Sequence, residues 1–176
     1  MKKGEIWVSA VLYIALGIIL ITIILNAGLP LINKLRDRNT LVQTRTVIVN
    51  LDNNLRIVST EGPGSRRYIS PLNIESGELK VDEVNDKIIW SMPTNAKLIE
   101  TGINFTEGDI VTYLLPTATE NEYNVNLELN VKSFANISLS QDTTLGSPLT
   151  GTYSVVIEHT GSYDSRGLPL INIRVV

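Results

Sequence analysis

Few residues of this chain have side chains suited to catalysis. His159 is the only histidine and there is no cysteine, which excludes disulfides, a thiolate nucleophile and thiolate metal ligands. A catalytic histidine needs a nucleophile or carboxylate beside it, but His159 shares an alternating apolar face with Tyr153, Val155 and Ile157. We therefore expect His159 to pack against a core, and we expect the chain not to be an enzyme.

Acidic residues cluster near the middle of the chain, where carboxylates could attract Ca²⁺. They are Glu75, Glu78, Asp82, Glu83 and Asp86. Their spacing does not match the alternating ligands of a calcium loop, so we expect a solvated face and no metal. Because the sequence also contains no GxGxxG, P-loop or H-E-x-x-H motif, we predict no cofactor.

Basic residues are dispersed, and the net charge is −3. Nucleic-acid-binding domains carry a concentrated basic patch, so we predict that nucleic acid is not a partner. Arg66 and Arg67 are adjacent and could meet an anion, but arginine is usually exposed. We expect both to lie in a solvated turn.

Two triplets match the N-glycosylation acceptor pattern. They are Asn104-Phe105-Thr106 and Asn136-Ile137-Ser138. Chance alone gives about two or three such triplets in a chain of this composition. If the surrounding domain lies outside the cell, Asn104 and Asn136 are candidate acceptors.

The main organising element is an unbroken apolar run without charge from Ile6 to Leu25. As a helix it is about 30 Å long, the hydrocarbon thickness of a bilayer. A helix that is apolar on every face must be buried on all sides, in lipid or among copies of itself. The residues that we expect to form this membrane or assembly surface are Ile6, Trp7, Val8, Leu12, Leu16, Ile19 and Ile23.

A short charged segment precedes the run: Lys2 and Lys3, then Gly4 and Glu5. A conventional secretory signal has its small-residue cleavage site after the apolar region, and no convincing site of that kind follows Leu25. Lysine, glycine and a charged residue directly before a long apolar helix resemble the class III, prepilin-type signal of archaeal type IV pilins and flagellins. The resemblance implies processing at Lys3, Gly4 and Glu5, in which a prepilin peptidase cuts after Gly4 and leaves the apolar helix on the mature protein. The alternative is an uncut signal anchor whose lysines stay cytoplasmic.

The chain after Leu25 predicts a bent continuation of the helix. Asn26 to Pro30 interrupts the apolar run, and proline removes a helical hydrogen bond, so we predict a kink and not a stop. Residues 31–58 have apolar residues at a plausible amphipathic helical period. We therefore predict a leader over 1–4, a helix over 5–60 and a linker over 61–67, where glycine and proline end the helix.

The remaining residues, 68–176, predict a β-rich head. Glu122 to Val131 alternates apolar and polar residues in the clearest strand pattern, and Leu79 to Trp90 predicts a hairpin with an acidic turn. Seven or eight short strands are expected, separated by turns at Ser76-Gly77, Gly146 to Pro148 and Gly161 to Gly167. The predicted fold class is α+β, with a long apolar helix followed by an antiparallel, sandwich-like sheet.

These features favour a structural protein. The resemblance implies a subunit of an archaeal type IV pilus-like filament, held by a single membrane span with its head outside the cell, then packed through its helix into an extracellular filament. Its partners would be membrane lipid, a prepilin peptidase and copies of itself or related pilins. The alternative is a membrane-anchored extracellular β domain that binds a surface ligand or envelope partner without assembly.

Overall fold

The computed structural model of the chain describes residues 3–140 and 149–176. One long α-helix, α1, spans Lys3–Glu61 and is the only helix in those residues. Pro30 lies inside α1 and does not end it, as predicted. Gly62 and Gly64 follow at once with positive φ angles of 91° and 84°, which a glycine tolerates because it has no Cβ. The helix therefore starts two residues before and ends one residue after the predicted range of 5–60.

Eight strands follow α1, and together they contain most of the remaining described residues. Their bounds are β1 Arg66–Asp82, β2 Lys87–Thr94, β3 Phe105–Glu107, β4 Ile110–Pro116, β5 Tyr123–Asn130, β6 Asn136–Leu139, β7 Leu149–Tyr163 and β8 Pro169–Val175.

The strands form one hydrogen-bonded sheet in the order β3-β4-β5-β2-β1-β7-β8-β6. Neighbouring strands are antiparallel except for β6 and β8, which pair in parallel. The predicted α+β class is confirmed: a long apolar helix is followed by a sheet that is antiparallel except at this pair. In the described residues, the layer that a second sheet would supply in a sandwich is supplied by the second part of α1.

The core lies between this part of α1 and one face of the sheet. The buried positions of the helix recur every three or four residues, the spacing that puts side chains on one face. They are Thr40, Thr44, Ile48, Leu51, Leu55 and Val58. Sheet residues that pack into the same core include Trp90, Leu127, Leu129, Ile157 and Ile171.

The four predicted turns have different outcomes. The β1–β2 hairpin is confirmed, with Asp82 opposite Lys87. The predicted Ser76-Gly77 turn is wrong, because both residues lie within β1, where the pairing with β7 shifts register between Ile74 and Leu79. The turn at Gly161 to Gly167 is shorter than predicted, since β7 continues to Tyr163. The turn at Gly146 to Pro148 lies outside the described residues.

The chain divides into two compact units, residues 1–36 and 37–176. The second unit contains the sheet together with the part of α1 that packs on it, and from here on the head means this whole unit, residues 37–176. The boundary predicted from composition was the linker over 61–67. In the structure, β1 already begins at Arg66, so that linker is reduced to the four residues between Glu61 and Arg66.

Candidate functional site

The apolar run of α1 exposes its side chains on every face. Trp7 is 76% exposed, and the other large apolar residues from Val8 to Leu25 range from 51% at Leu20 to 74% at Tyr13. The predicted residues Val8, Leu12, Leu16, Ile19 and Ile23 all belong to this exposed set. The side chain of Ile6 is outside the described part, and its backbone is helical.

This run has the length and composition of a membrane span. Within the described residues, α1 is the one helix long and apolar enough to cross a bilayer, and none of its apolar window is buried. Thr22, a polar residue inside the run, donates its hydroxyl to the Ile18 carbonyl at 2.8 Å. The hydroxyl therefore needs no water, which allows threonine within a hydrocarbon environment.

Charges are confined to the two ends of the run. Lys3, Gly4 and Glu5 form the first turn of α1, and their side chains are outside the described part. No charged residue follows Glu5 until Lys34. Lys34, Arg36 and Arg38 are exposed, and none makes an ion pair or hydrogen bond with another described residue.

His159 is buried, with 1% of its surface exposed. Its Nδ1 accepts a hydrogen bond from the Gly161 amide at 2.9 Å, and its ring meets that of Tyr163 edge-on at 5.5 Å between centroids. Nε2 is buried without a hydrogen-bond partner. His159 is also tied to the residues after α1, because its amide donates to the Ser65 carbonyl at 3.0 Å. The predicted packing of His159 against the core is confirmed.

The acidic residues do not converge on one point. Glu75 and Glu78 are exposed on β1, and the Asp82 carboxylate accepts hydrogen bonds from Val84 and Asn85 in the hairpin turn. Those hydrogen bonds, with the Asn85 side chain contributing most, hold the pKa of Asp82 below its ordinary value. Among the described residues, no group of three or more acidic or histidine side chains could hold a metal ion.

Asp86 departs from the predicted solvated face because it is 3% exposed. Its carboxylate accepts hydrogen bonds from the Ile137 amide at 3.2 Å and from Arg166 Nη2 at 2.8 Å. The hydrogen bond to Asp86 is the main reason that the pKa of Arg166 is raised, and Asp164 adds to it. A buried charge that is paired and hydrogen-bonded is a structural link between distant segments. This ion pair could not be predicted from the sequence, because Asp86 and Arg166 are far apart in the chain.

Arg66 and Arg67 are the first two residues of β1 and not part of a turn. Arg66 Nη2 lies 2.7 Å from a Glu158 carboxylate oxygen on the neighbouring strand. Arg67 forms an ion pair with Glu61, the last residue of α1. Both arginines are therefore engaged with carboxylates of the head.

The two acceptor triplets have different environments. Asn104, Phe105 and Thr106 are all exposed at the start of β3. Asn136 is half-buried at the start of β6, where the next residue, Ile137, is 1% exposed.

Comparison with known proteins gave no match: no protein-family model, curated protein or solved structure matches this chain.

Proposed function

We propose that this chain is a structural subunit of an archaeal type IV pilus-like filament, anchored in the cell membrane before assembly and packed through its amino-terminal helix afterwards. The observation that carries the proposal is the run from Trp7 to Leu25, which exposes apolar side chains on every face. Residues 37–176 form a separate folded unit with its own core. The proposal assigns no catalytic step and no cofactor to the chain.

The physical argument concerns where such a helix is stable. Burying one large apolar side chain is worth about 1.5–3 kcal/mol, so a helix with more than a dozen of them exposed cannot remain in water. It can leave lipid only for an equally apolar environment, and a bundle of the same helices provides one. The partners in this proposal are membrane lipid first and copies of this chain or related pilins later.

Processing follows from the residues that precede the run. A prepilin peptidase would cut between Gly4 and Glu5, and Trp7 to Leu25 would stay on the mature protein. Because α1 begins at Lys3, the first turn must unwind before the peptide bond can be reached. Gly4 favours this, since glycine in a helix is about 1 kcal/mol less stable than alanine.

The test is to determine the amino terminus of the protein isolated from its own cells by intact-mass measurement and amino-terminal sequencing. The expected first residue is Glu5. A mature chain that begins at Met1, or at any residue beyond Leu25, contradicts the proposal. Filaments sheared from the cell surface should contain the same processed chain.

A matched pair of glycine variants separates processing from helix effects. Gly4→Val should block the cut and leave the chain in the membrane fraction without filaments. Gly28→Val places the same side chain inside α1, where no described residue beyond its chain neighbours and the helix's own backbone lies within 4 Å of an added Cβ. Gly28→Val should therefore be processed normally. Equal processing of both variants would count against a cut at Gly4.

The second candidate is a single-span protein whose head binds a ligand or envelope partner without assembly. It is favoured by the head itself, because residues 37–176 form a compact unit in which α1 and the sheet complete one core. This function requires no second copy. It predicts an uncut chain that is monomeric after mild extraction, so the same amino-terminal measurement discriminates between the two.

A further inference from the structure

The strand β3 is an exposed edge of the sheet. It is the outermost strand, it contains only Phe105–Glu107, and it pairs with β4 alone among the described strands. An edge strand presents unpaired backbone groups that can join another chain, so proteins usually cover or charge it. Ile103 and Phe105 are each 55% exposed at this edge. The edge therefore combines a free backbone with the exposed apolar side chains of Ile103 and Phe105, and its one charged residue, Glu107, is ion-paired with Arg45 of α1.

The first acceptor triplet lies on this edge. Asn104 directly precedes β3, and neither its amide nor the Thr106 hydroxyl makes a hydrogen bond within the described part of the chain. An acceptor asparagine needs its amide nitrogen free, together with the hydroxyl two residues later, to enter a transferase site in an accessible segment. Asn104 meets both conditions in the folded head.

The second acceptor triplet has the same sequence pattern but is held in the fold. Asn136 starts β6, which pairs with β8 from Asn136 opposite Leu170 onward. The Ile137 amide donates to the buried carboxylate of Asp86 at 3.2 Å, and Ala135 on the other side is fully buried. Binding of this triplet in a transferase site would require β6 to leave the sheet, which would expose the core.

We propose that Asn104 carries an N-linked glycan and that Asn136 does not. The inference rests on the proposed location of the head outside the cell. The donor class is a polyisoprenoid-linked sugar phosphate. The Asn104 amide nitrogen forms a bond to the anomeric carbon, the bond from that carbon to the carrier phosphate oxygen breaks, and the amide loses one proton to a base. No oxidant or reductant is required.

The glycan accounts for the exposed edge. A bulky hydrated group at Asn104 stands beside Ile103 and Phe105 and occludes the free side of β3. The edge can then remain apolar without pairing with another chain. The modification would keep this edge out of any contact between copies.

The test is peptide mass spectrometry of the native protein. Trypsin separates the two triplets, because it cuts after Lys97, Lys132 and Arg166. The peptide of residues 98–132 should carry a glycan mass at near-complete occupancy, and the peptide of residues 133–166 should be unmodified. An unmodified Asn104, or a glycan on Asn136, overturns the proposal.

Variants expressed in the same cells identify the acceptor chemistry. Asn104→Gln and Thr106→Ala should each remove the glycan mass. Thr106→Ser keeps a hydroxyl at that position and should retain it, as should Asn136→Gln. Loss of the mass in Asn136→Gln, or its retention in Thr106→Ala, contradicts the assignment.

A separate measurement distinguishes failure of this inference from failure of the proposed topology. The chain has no cysteine, and Val84 is 91% exposed in the β1–β2 turn. Val84→Cys should react with a membrane-impermeant maleimide on intact cells. Labelling without a glycan at Asn104 overturns only the glycan. Absence of labelling shows that the head is not outside, and it then overturns both proposals.

Discussion

Two parts of α1 share the same helical backbone but differ in how their apolar side chains are exposed to solvent. From Trp7 to Leu25 every face is apolar and exposed. From Thr40 to Val58 only one face is buried, and the buried residues recur at helical spacing against the sheet. The first part has no packing partner in the described residues 3–36, and the second belongs to the core of the head.

The difference shows that periodicity, more than apolar content, determines what a helix requires. A helix with one apolar stripe can bury that stripe within its own chain by packing on a sheet. Its stability then depends on the specific contacts of the buried side chains. A helix without a polar face requires an apolar environment on all sides, which either lipid or a bundle of identical helices provides. Charge should therefore harm the first part, whereas loss of volume should harm the second.

The largest expected effect comes from placing charge in the first part. Leu16→Lys and Ile19→Lys should each make the free energy of membrane insertion less favourable by about 3–4 kcal/mol, because a charged side chain replaces an apolar one. The double variant should be lost from the membrane fraction after carbonate extraction.

Its control is Leu16→Ala combined with Ile19→Ala, which shortens the same side chains without adding charge. That variant should remain in the membrane fraction. Thermal unfolding of the head should be unchanged in both variants, because neither residue lies in residues 37–176. Retention of the double lysine variant would contradict a membrane role for this run.

The next largest effect is expected from volume loss in the second part. Ile48 is fully buried, whereas Ile57 in the same helix is 40% exposed. Ile48→Ala should lower the free energy of unfolding by about 2–5 kcal/mol, the usual cost of a core cavity. Ile57→Ala should cost much less, and neither variant should change membrane retention. Equal losses in urea unfolding would show that the head does not depend on this face.

The sequence predicted those features of the fold that depend on local patterns. The apolar run, the strand at Glu122 to Val131 and the β1–β2 hairpin are each encoded by the period or the turn chemistry of consecutive residues. The strand β3 was not predicted, because three exposed residues contain no measurable alternation. Its place at the sheet edge is fixed by pairing with β4.

The candidate site divides in the same way. Exposure of Val8, Leu12 and Leu16 follows from composition alone, so it could be predicted. Burial of Asp86 could not, because it depends on Arg166 and Ile137, which only the folded sheet brings close. The two acceptor triplets are indistinguishable as sequence, and the strand pairing of Asn136 separates them.

An effect no larger than that of Ile48→Ala is expected at Gly77, which was predicted to lie in a turn but lies within β1. Its φ is +80°, and an added Cβ would lie 2.5 Å from the Ser91 carbonyl oxygen and 2.7 Å from Trp90 Nε1. Gly77→Ala should lower the free energy of unfolding by about 1–2 kcal/mol for the backbone and by about 1–3 kcal/mol for overpacking.

Gly102 provides the matched control, because it has the same φ of +80° and no described residue beyond its chain neighbours lies within 4 Å of an added Cβ. Gly102→Ala should show the backbone cost alone. The difference between the two variants in urea unfolding measures the overlap with Trp90 and Ser91. Equal free energies of unfolding for the two variants would mean that the structure around Gly77 can shift to accept the methyl group at no extra cost.

The smallest expected effect is a pH dependence confined to the head. Hydrogen bonds from Asn85 and Val84 lower the pKa of Asp82 in the folded state. A carboxyl whose pKa is depressed by folding stabilises the protein above its unfolded pKa of about 4, and this stabilisation is lost as pH falls through the folded value. The free energy of unfolding should therefore decline as the pH falls below about 4.

Asp82→Asn tests this dependence, because it removes the titrating group and keeps an oxygen that can accept from the turn. Its unfolding free energy should fall less steeply below pH 4 than that of the natural chain. Val84→Ala keeps the Asp82 carboxyl and the two turn amides that donate to it, and its slope should match that of the natural chain. Membrane retention should not depend on pH in this range, because residues 7–25 contain no group that titrates there. Release of the protein from the membrane by acid would contradict this comparison, in which the apolar environment holds the helix and specific contacts hold the head.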